Sequence, residues 1–227
     1  MLGIIGAMDV EILAVKEQME NKTVTAAAGV DFVCGTIAGR EVCAAQCSPG
    51  KVNAALCTQA MIDRFQPEAI INLGVGCSLR GDVRITDVVV ASEVCQYDFD
   101  TSAIDGVKGL VLGDTVKIPT DSALFNRLSA AARACGATVH TGCIASGDTF
   151  IASQALKDSI AKEFGAVCGE MEGGAIGQVC YLNGVPFAVI RTVSDGGDES
   201  AELDYPAFKE VAAKISSEIL TAFLRNQ

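Results

Sequence analysis

Short apolar runs alternate with longer amphipathic stretches along most of the chain. A run of apolar residues bounded by glycine, proline or charged residues is typical of a strand buried in a sheet. Apolar residues that recur every three or four positions are typical of a helix that packs one face on a core. The runs predict strands at residues 2–5, 32–37, 41–46, 69–73, 88–91, 139–145, 166–168 and 186–192. The periodic stretches predict helices at residues 9–19, 50–65, 122–134, 155–164, 172–182 and 205–224.

The order of these elements predicts an α/β protein. Strands that alternate with helices are typical of a largely parallel or mixed sheet covered on both faces. Residues 32–37 and 41–46 are expected to form a hairpin with its turn at Ala38-Gly39-Arg40, which argues against a purely doubly wound sheet. No repeat, low-complexity tract or Pro/Ser-rich linker interrupts the pattern, so residues 1–227 are expected to form one domain.

The charge of the chain changes this picture by excluding several partners. There are 17 Lys and Arg residues against 28 Asp and Glu residues, a formal net charge of −11. Such a field repels phosphate backbones and anionic lipid, so neither nucleic acid nor a membrane surface is an expected partner. The apolar start lacks a basic leader, and no apolar stretch approaches the roughly 18 residues of a membrane span. A cytoplasmic location is the simplest expectation.

The ten cysteines do not indicate a metal site. None of them has Cys-x-x-Cys spacing, and His140 is the only histidine. A zinc site would therefore need thiolates from distant segments with almost no imidazole. In a cytosolic chain most of these thiols are expected to be reduced and to fill the core as small hydrophobic groups. No metal or other cofactor is expected.

Three acidic motifs begin at, or directly follow, short apolar runs. They end at Glu11, at Glu170-Met-Glu172 and at Asp195. Ligands of α/β enzymes collect at the ends of the strands, where these carboxylates are expected to meet. Each also has a simpler interpretation, as a solvated residue in a first helical turn, a helix N-terminal charge or a turn-former. If Asp195 has apolar neighbours its pKa should rise, as a proton donor at neutral pH requires.

Two turns add candidate binding residues. Gly74-Val-Gly-Cys-Ser78 follows a predicted strand but lacks the third glycine of a dinucleotide loop, so it is interpreted as a tight turn that brings bare backbone close to a neutral ligand. Ser146-Gly-Asp-Thr-Phe150 is a second polar turn. Asp148 could cap the next helix and Phe150 could belong to the core, or Phe150 could offer a flat face to a planar base.

Together these motifs resemble those of the 5′-methylthioadenosine/S-adenosylhomocysteine nucleosidases. The similarity includes Gly3-Ile-Ile-Gly-Ala-Met-x-x-Glu11, Pro49-Gly-Lys-Val-Asn-Ala-Ala55, Ser146-Gly-Asp-x-Phe150, Glu170-Met-Glu172 and Arg191-x-x-Ser-Asp195, in that order. The resemblance implies the nucleoside phosphorylase fold, which has three layers with a central mixed β-sheet flanked by helices, and a homodimer. It also implies hydrolysis of the N-glycosidic bond of 5′-methylthioadenosine and S-adenosylhomocysteine, with release of adenine and a 5′-thioribose.

The resemblance also implies a role for each site residue. Asp195 is similar to the acid that protonates adenine N7, and Glu11 to the base that activates water. In an inverting glycosidase such an acid and base act from opposite faces of the sugar. Glu172 resembles the carboxylate that binds the ribose hydroxyls. The other matching positions are Ser194 beside the acid, Met171 beside Glu172, Phe150 and the backbone of Ile151 at the base, Ala7, Met8, Val75, Gly76 and Cys77 around base and ribose, Tyr205 beside the 5′ group, and Thr101 and Ile104 where a partner subunit closes the pocket.

Departures from the family pattern leave the 5′ substituent open. Val75-Gly76-Cys77 stands where Ser-Ala-Gly is common, Ile104 replaces a usual phenylalanine, and Pro49 replaces a common isoleucine. A nucleosidase for another 5′-modified nucleoside, of the 5′-deoxyadenosine or futalosine type, is therefore an alternative.

Two further alternatives are less favoured. Purine nucleoside phosphorylases have Arg-Val-Gly-Ser where this chain has Asn72-Leu-Gly-Val75, so two phosphate contacts are missing, and Glu11 would repel the phosphate. A non-catalytic nucleoside-binding protein would be expected to lack one of Glu11, Glu172 and Asp195, and all three are present.

Overall fold

A mixed ten-stranded sheet forms the middle of the molecule. The structure is a computed structural model, and it describes residues 1–225. The strands are β1 (Leu2–Gly6), β2 (Glu20–Ala27), β3 (Val30–Ile37), β4 (Arg40–Gln46), β5 (Ala69–Ser78), β6 (Val88–Gln96), β7 (Ile118–Pro119), β8 (Val139–Ser146), β9 (Ala166–Glu170) and β10 (Phe187–Asp195). The helices are α1 (Asp9–Gln18), α2 (Lys51–Phe65), α3 (Ser102–Asp105), α4 (Ser122–Ala134), α5 (Gln154–Phe164), α6 (Gly173–Asn183) and α7 (Ala201–Arg225).

Five strands of the sheet close into a ring. The strands pair in the order β10–β6–β8–β9–β5, and β5 pairs again with β10. From β5 the sheet continues through β1, β4 and β3 to β2 at its edge. Strands β1, β5 and β10 are neighbours and parallel, so their carboxyl ends lie at the same edge of the sheet. This edge is where ligands bind in α/β proteins.

Helices cover both faces of the sheet. Helix α7 packs on β10 and β5 and also contacts α1 and α4. Helices α2 and α6 pack together, and their buried apolar side chains form a core cluster with those of the sheet. Helix α5 lies beside β8 and β9. The predicted three-layer α/β fold with a mixed sheet is therefore confirmed.

The prediction of a turn at residues 74–78 is wrong. Strand β5 continues to Ser78, and Gly74 and Gly76 pair with Arg191 and Val193 of β10. A Cβ on Gly74 would lie 2.5 Å from Glu11 Oε1, and one on Gly76 would lie 2.7 Å from Cys168 Sγ. These glycines therefore serve close packing inside a strand and do not form a bend.

Strand β2 was not predicted, because nearly all of its residues are exposed and show no apolar alternation. It pairs with β3 and forms the edge of the sheet. The cysteines follow expectation more closely: all ten are free, and eight are buried. No helix within residues 1–225 combines the length and the apolar composition that a bilayer crossing requires.

Candidate active site

A pocket opens at the carboxyl ends of β1, β5 and β10. Its walls also include the turn after β8, the junction of β9 with α6, the first turn of α1, and Tyr205 of α7. Polar carboxylates and apolar side chains both face it. The lining residues are Ala7, Met8, Glu11, Pro49, Val75, Gly76, Cys77, Thr149, Phe150, Ile151, Gly169, Glu170, Met171, Glu172, Ser194, Asp195 and Tyr205.

Glu11 is a buried carboxylate held by backbone amides. It stands in the first turn of α1 and is only 3% exposed, so the interpretation as a solvated helical residue is wrong. Its Oε2 accepts hydrogen bonds from the N–H groups of Ala7 (2.7 Å) and Met8 (2.9 Å), and its Oε1 accepts one from Val75 N–H (3.0 Å). Burial raises the pKa of Glu11, although the charge of Arg191 and these hydrogen bonds oppose the rise. A carboxylate with a raised pKa is suited to act as a base near neutral pH.

Glu170 closes the N-terminus of α6. Its Oε2 accepts hydrogen bonds from the backbone N–H groups of Glu172 (2.9 Å) and Gly173 (2.8 Å). The Ser146 hydroxyl and the Arg191 guanidinium also donate to this carboxylate. Burial opposes its ionisation, but Arg191 and these donors hold the pKa of Glu170 below its usual range. Of the two glutamates in this motif, Glu170 is therefore the helix N-terminal charge.

Glu172 faces the pocket with fewer donors. Its Oε1 accepts the N–H of Gly50 (3.0 Å), and its Oε2 lies 3.4 Å from Arg191 Nη2. Burial, followed by the negative charge of Glu170, raises the pKa of Glu172 to about 8. The two glutamates thus have opposite pKa shifts, because Glu170 has the stronger contact with the shared guanidinium. Separated pKa values in a pair of acids are typical of a functional site.

Arg191 contacts both of these carboxylates but does not itself line the pocket. It is 1% exposed on β10, and its Nη2 also donates to Asn72 Oδ1 (2.6 Å). An arginine this deeply buried requires a negative partner, and Glu170, whose pKa is lowered, supplies it. The guanidinium on β10 therefore contacts both Glu170 at the end of β9 and Glu172 at the start of α6.

Asp195 lies at the end of β10 and lines the pocket. It is 2% exposed; its Oδ2 accepts the Ser194 hydroxyl (2.8 Å) and its Oδ1 accepts the Gly197 N–H (3.0 Å). Burial raises the pKa of Asp195 despite these two hydrogen bonds. The expected direction of this shift is confirmed, and it favours the protonated form that a proton donor needs.

Two aromatic rings form the outer wall. The rings of Phe150 and Tyr205 meet edge to face, with centroids 5.4 Å apart. Phe150 keeps 43% of its surface exposed, so it is not a core residue. The Tyr205 hydroxyl contacts Met8 Sδ at 2.9 Å. These two rings offer a flat apolar surface to a planar ligand in the same pocket as the carboxylates.

Comparison with known proteins identifies the family. The model of the Phosphorylase superfamily matches residues 1–225. A 5′-methylthioadenosine/S-adenosylhomocysteine nucleosidase of Halalkalibacterium halodurans is 36% identical, over 98% of this chain and 97% of its own length. The chain belongs to this nucleosidase family. The Neisseria meningitidis nucleosidase in complex with methylthio-immucillin-A superposes with a TM-score of 0.96 at 33% identity, covering 100% of this chain and 99% of that one. The futalosine hydrolase of Helicobacter pylori gives 0.95 at 33% identity, covering 100% and 97%.

The structure brings most of the residues that match the nucleosidase motifs into one pocket. Thr101 and Ile104 are the exceptions, since they lie on α3, outside the lining of this chain's own pocket. Ile104 is 87% exposed. Both are predicted to contribute to the pocket of a second subunit.

Sequence reasoning assigned no definite site role to several residues of this nucleosidase pocket, although most of them lie in the motifs quoted above. Pro49, Thr149, Gly169 and Glu170 line it, and Arg191 supports it. The available signal was Arg191 itself, a charged residue directly after the apolar run of β10. Among residues 1–225, no three His, Cys, Asp or Glu side chains are grouped so that they could hold a metal ion.

Proposed function

We propose that the chain hydrolyses the N-glycosidic bond of 5′-methylthioadenosine and S-adenosylhomocysteine, releasing adenine and a 5′-thioribose. The observation that carries this proposal is the meeting of three buried carboxylates, Glu11, Glu172 and Asp195, in one pocket with an aromatic wall. The family and its inhibitor-bound structures support it. Residues 1–227 are taken as one catalytic domain, because a continuous sheet includes every described strand.

Asp195 acts as the general acid in this proposal. Adenine is a poor leaving group as an anion, so a proton must reach N7 while the bond between C1′ and N9 breaks. The upward shift of the Asp195 pKa, caused by burial, favours the protonated form that donates, and the Ser194 hydroxyl holds the carboxyl group in place. Proton transfer of this kind contributes about 10²–10⁴-fold in rate.

Glu11 and Glu172 act on the sugar. As the ribose becomes positively charged, Glu11 orients a water molecule and takes its proton, and the oxygen attacks C1′. Three backbone N–H groups hold Glu11, but each carboxylate oxygen can accept two hydrogen bonds, so accepting capacity remains for water. Glu172 accepts the ribose hydroxyls, with Met171 beside it. The net reaction adds water across one C–N bond.

The remaining lining residues recognise the substrate. Phe150 stacks on adenine, and the backbone of Ile151 binds the edge of the base. Tyr205 packs against the 5′ group. The apolar or backbone surfaces around base and ribose come from Ala7, Met8, Val75, Gly76 and Cys77.

A homodimer belongs to the same proposal. Exposed apolar side chains on α2, such as Val52 at 77%, and Ile104 on α3 at 87% support burial against a second copy. In that assembly Thr101 and Ile104 of one subunit close the 5′ end of the partner's pocket. A cytoplasmic location fits the eight buried free thiols.

A second candidate is hydrolysis of another 5′-modified nucleoside. Cys77 introduces a thiol beside Asp195, since these two residues are register partners on β5 and β10. A futalosine hydrolase also has a TM-score of 0.95 to this chain. The 5′ substituent and the base are therefore the features to vary in an assay.

The test is adenine release from 5′-methylthioadenosine, with and without phosphate, followed by identification of the sugar. We expect free methylthioribose and no phosphate requirement. A phosphate requirement with a sugar 1-phosphate product would contradict the role of Glu11. Release only from futalosine or 5′-deoxyadenosine would move the assignment to the second candidate.

A further inference from the structure

Charged residues outside the pocket connect two of its walls by hydrogen bonds. The turn after β8 carries Asp148, two residues before Phe150, and α2 begins at Lys51, directly after Gly50. Asp148 Oδ1 accepts the backbone N–H of Lys51 at 2.7 Å. A residue almost a hundred positions away in sequence thus caps the N-terminus of α2.

A third residue, Asp98, completes this arrangement. Its Oδ1 accepts Lys51 Nζ at 2.6 Å, and its Oδ2 accepts the backbone N–H of Asp148 at 2.8 Å. The side chains of Lys51 and Asp98 are 17% and 26% exposed, so the ion pair is partly shielded from water. Lys51, Asp98 and Asp148 are named the Lys51 clamp below.

The clamp reaches Glu172 through the residue before α2. Gly50 N–H donates to Glu172 Oε1 at 3.0 Å, and Pro49 lines the pocket. Gly50 has φ +102°, and a Cβ there would lie 3.2 Å from Asp148 Oδ1. Glycine therefore permits both the backbone conformation and the close approach of Asp148.

The loop on the other side of the clamp is held at further points. Tyr97 Oη donates to the Thr149 carbonyl at 3.1 Å, and Gly147 N–H donates to the Glu170 carbonyl at 3.1 Å. Phe150 itself remains half exposed, so the clamp and these bonds fix the loop that presents its ring.

We propose that the Lys51 clamp is a positioning device, which holds the Phe150 loop and the Glu172 carboxylate in their binding arrangement before a nucleoside enters. This inference rests on the proposed function, in which Phe150 contacts the base and Glu172 the ribose. With the clamp intact, the groups that bind the base and the sugar are already in position when the nucleoside enters. Without it, substrate binding must order the loop and the start of α2, and that free energy is lost from binding.

The test compares Lys51→Met and Asp98→Asn with the conservative variant Lys51→Arg. We expect KM for the nucleoside to rise about tenfold in the first two variants with kcat nearly unchanged. The free energy needed to order the loop and the start of α2 weakens the binding of substrate and transition state equally. Lys51→Arg keeps the charge and should retain a KM close to that of the wild type. Arg40→Met is the matched control, since it breaks the 2.6 Å pair of Arg40 with Glu68 at the opposite end of the sheet.

Hydrogen–deuterium exchange supplies a readout that needs no activity. Amides of residues 49–52 and 147–151 should exchange faster in Lys51→Met and Asp98→Asn, and should not change in Arg40→Met. A purely structural role would lower Tm but leave the KM of the folded enzyme unchanged. An unchanged KM in either folded clamp variant, or an equal rise in Arg40→Met, overturns the proposal. If wild type releases no base from any nucleoside, the proposed function fails, and exchange alone still decides whether the clamp orders both segments.

Discussion

At the scale of single residues, the proposed acid gives the sharpest prediction. Asp195→Asn preserves the shape of the side chain and removes the transferable proton. We expect kcat to fall by about 10²–10⁴-fold while KM changes little. Steady-state kinetics with 5′-methylthioadenosine measure both constants. Asp31→Asn, at an exposed position on β3 and outside the pocket lining, is the control and should keep a kcat close to that of the wild type. Near-normal turnover of Asp195→Asn would remove Asp195 from the proposed mechanism.

Glu172 gives a prediction for stability. Its pKa in the fold is raised from an ordinary 4.5 to about 8, so the folded protein binds more protons than the unfolded chain between these values. The contribution of Glu172 to stability is therefore fully present below about pH 4.5 and is lost as the pH rises through about 8. Gln resembles the protonated form. Glu172→Gln should raise Tm at about pH 9 by at least about 2–4 °C, with little change near pH 5.

A carboxylate with the opposite shift is the control for Glu172. The pKa of Glu68 is lowered by its hydrogen bond with Arg40, and the residue lies at the surface. Glu68→Gln should therefore leave Tm at about pH 9 unchanged or slightly lower. Thermal melts of both variants at the two pH values make the comparison. A lower Tm of Glu172→Gln at about pH 9 would show that the hydrogen bond from Gly50 outweighs the burial of the charge.

At the scale of elements, the glycines of β5 determine where Glu11 can lie. A Cβ at position 74 would stand 2.5 Å from Oε1 and 2.9 Å from Cδ of Glu11. Gly74→Ala should displace the carboxylate, and a displacement of about 1 Å costs about 10²-fold in rate. Gly81→Ala is the matched control, since nothing lies within 4 Å of its Cβ position and its φ is not positive. Kinetics and thermal melts of the two variants check this. Equal, normal kcat values would show that β5 can shift to accommodate the added methyl group.

The elements also show why part of the fold was predictable. Helix α4 has both an apolar stripe and the capping residue Asp121, whose carboxylate accepts Leu124 N–H at 2.8 Å, and its predicted bounds agree with the structure. Such local signals need no knowledge of distant segments. Strand β2 has no buried face, so its pairing with β3 left no periodicity to detect. The end of β5 was predicted as a turn because it is rich in glycine. These glycines are needed instead for close packing against Glu11 and Cys168, which are distant in sequence.

The candidate site, like the fold, was predictable only where the signals are local in sequence. The carboxylates at strand ends were predictable, because their positions relative to apolar runs are local. Which glutamate caps the helix and which faces the ligand depends on contacts with Arg191 and Ser146, which come from two other strands. Sequence alone could state only that one glutamate would serve the helix and the other a ligand.

At the scale of the whole molecule, the proposed homodimer connects assembly with activity. Ile104 is 87% exposed on α3, where it is proposed to pack into the partner's pocket. A charge introduced there would have to be buried without a partner, which costs several kcal/mol in an apolar contact. Ile104→Glu should therefore raise KM for 5′-substituted nucleosides and shift sedimentation toward the monomer. Val24→Glu, on the exposed edge strand β2 at 64% exposure, adds the same charge and should do neither. If Ile104→Glu sediments as the wild type does and keeps its KM, α3 lies outside the interface, and the 5′ end of the pocket is closed by residues of the same chain.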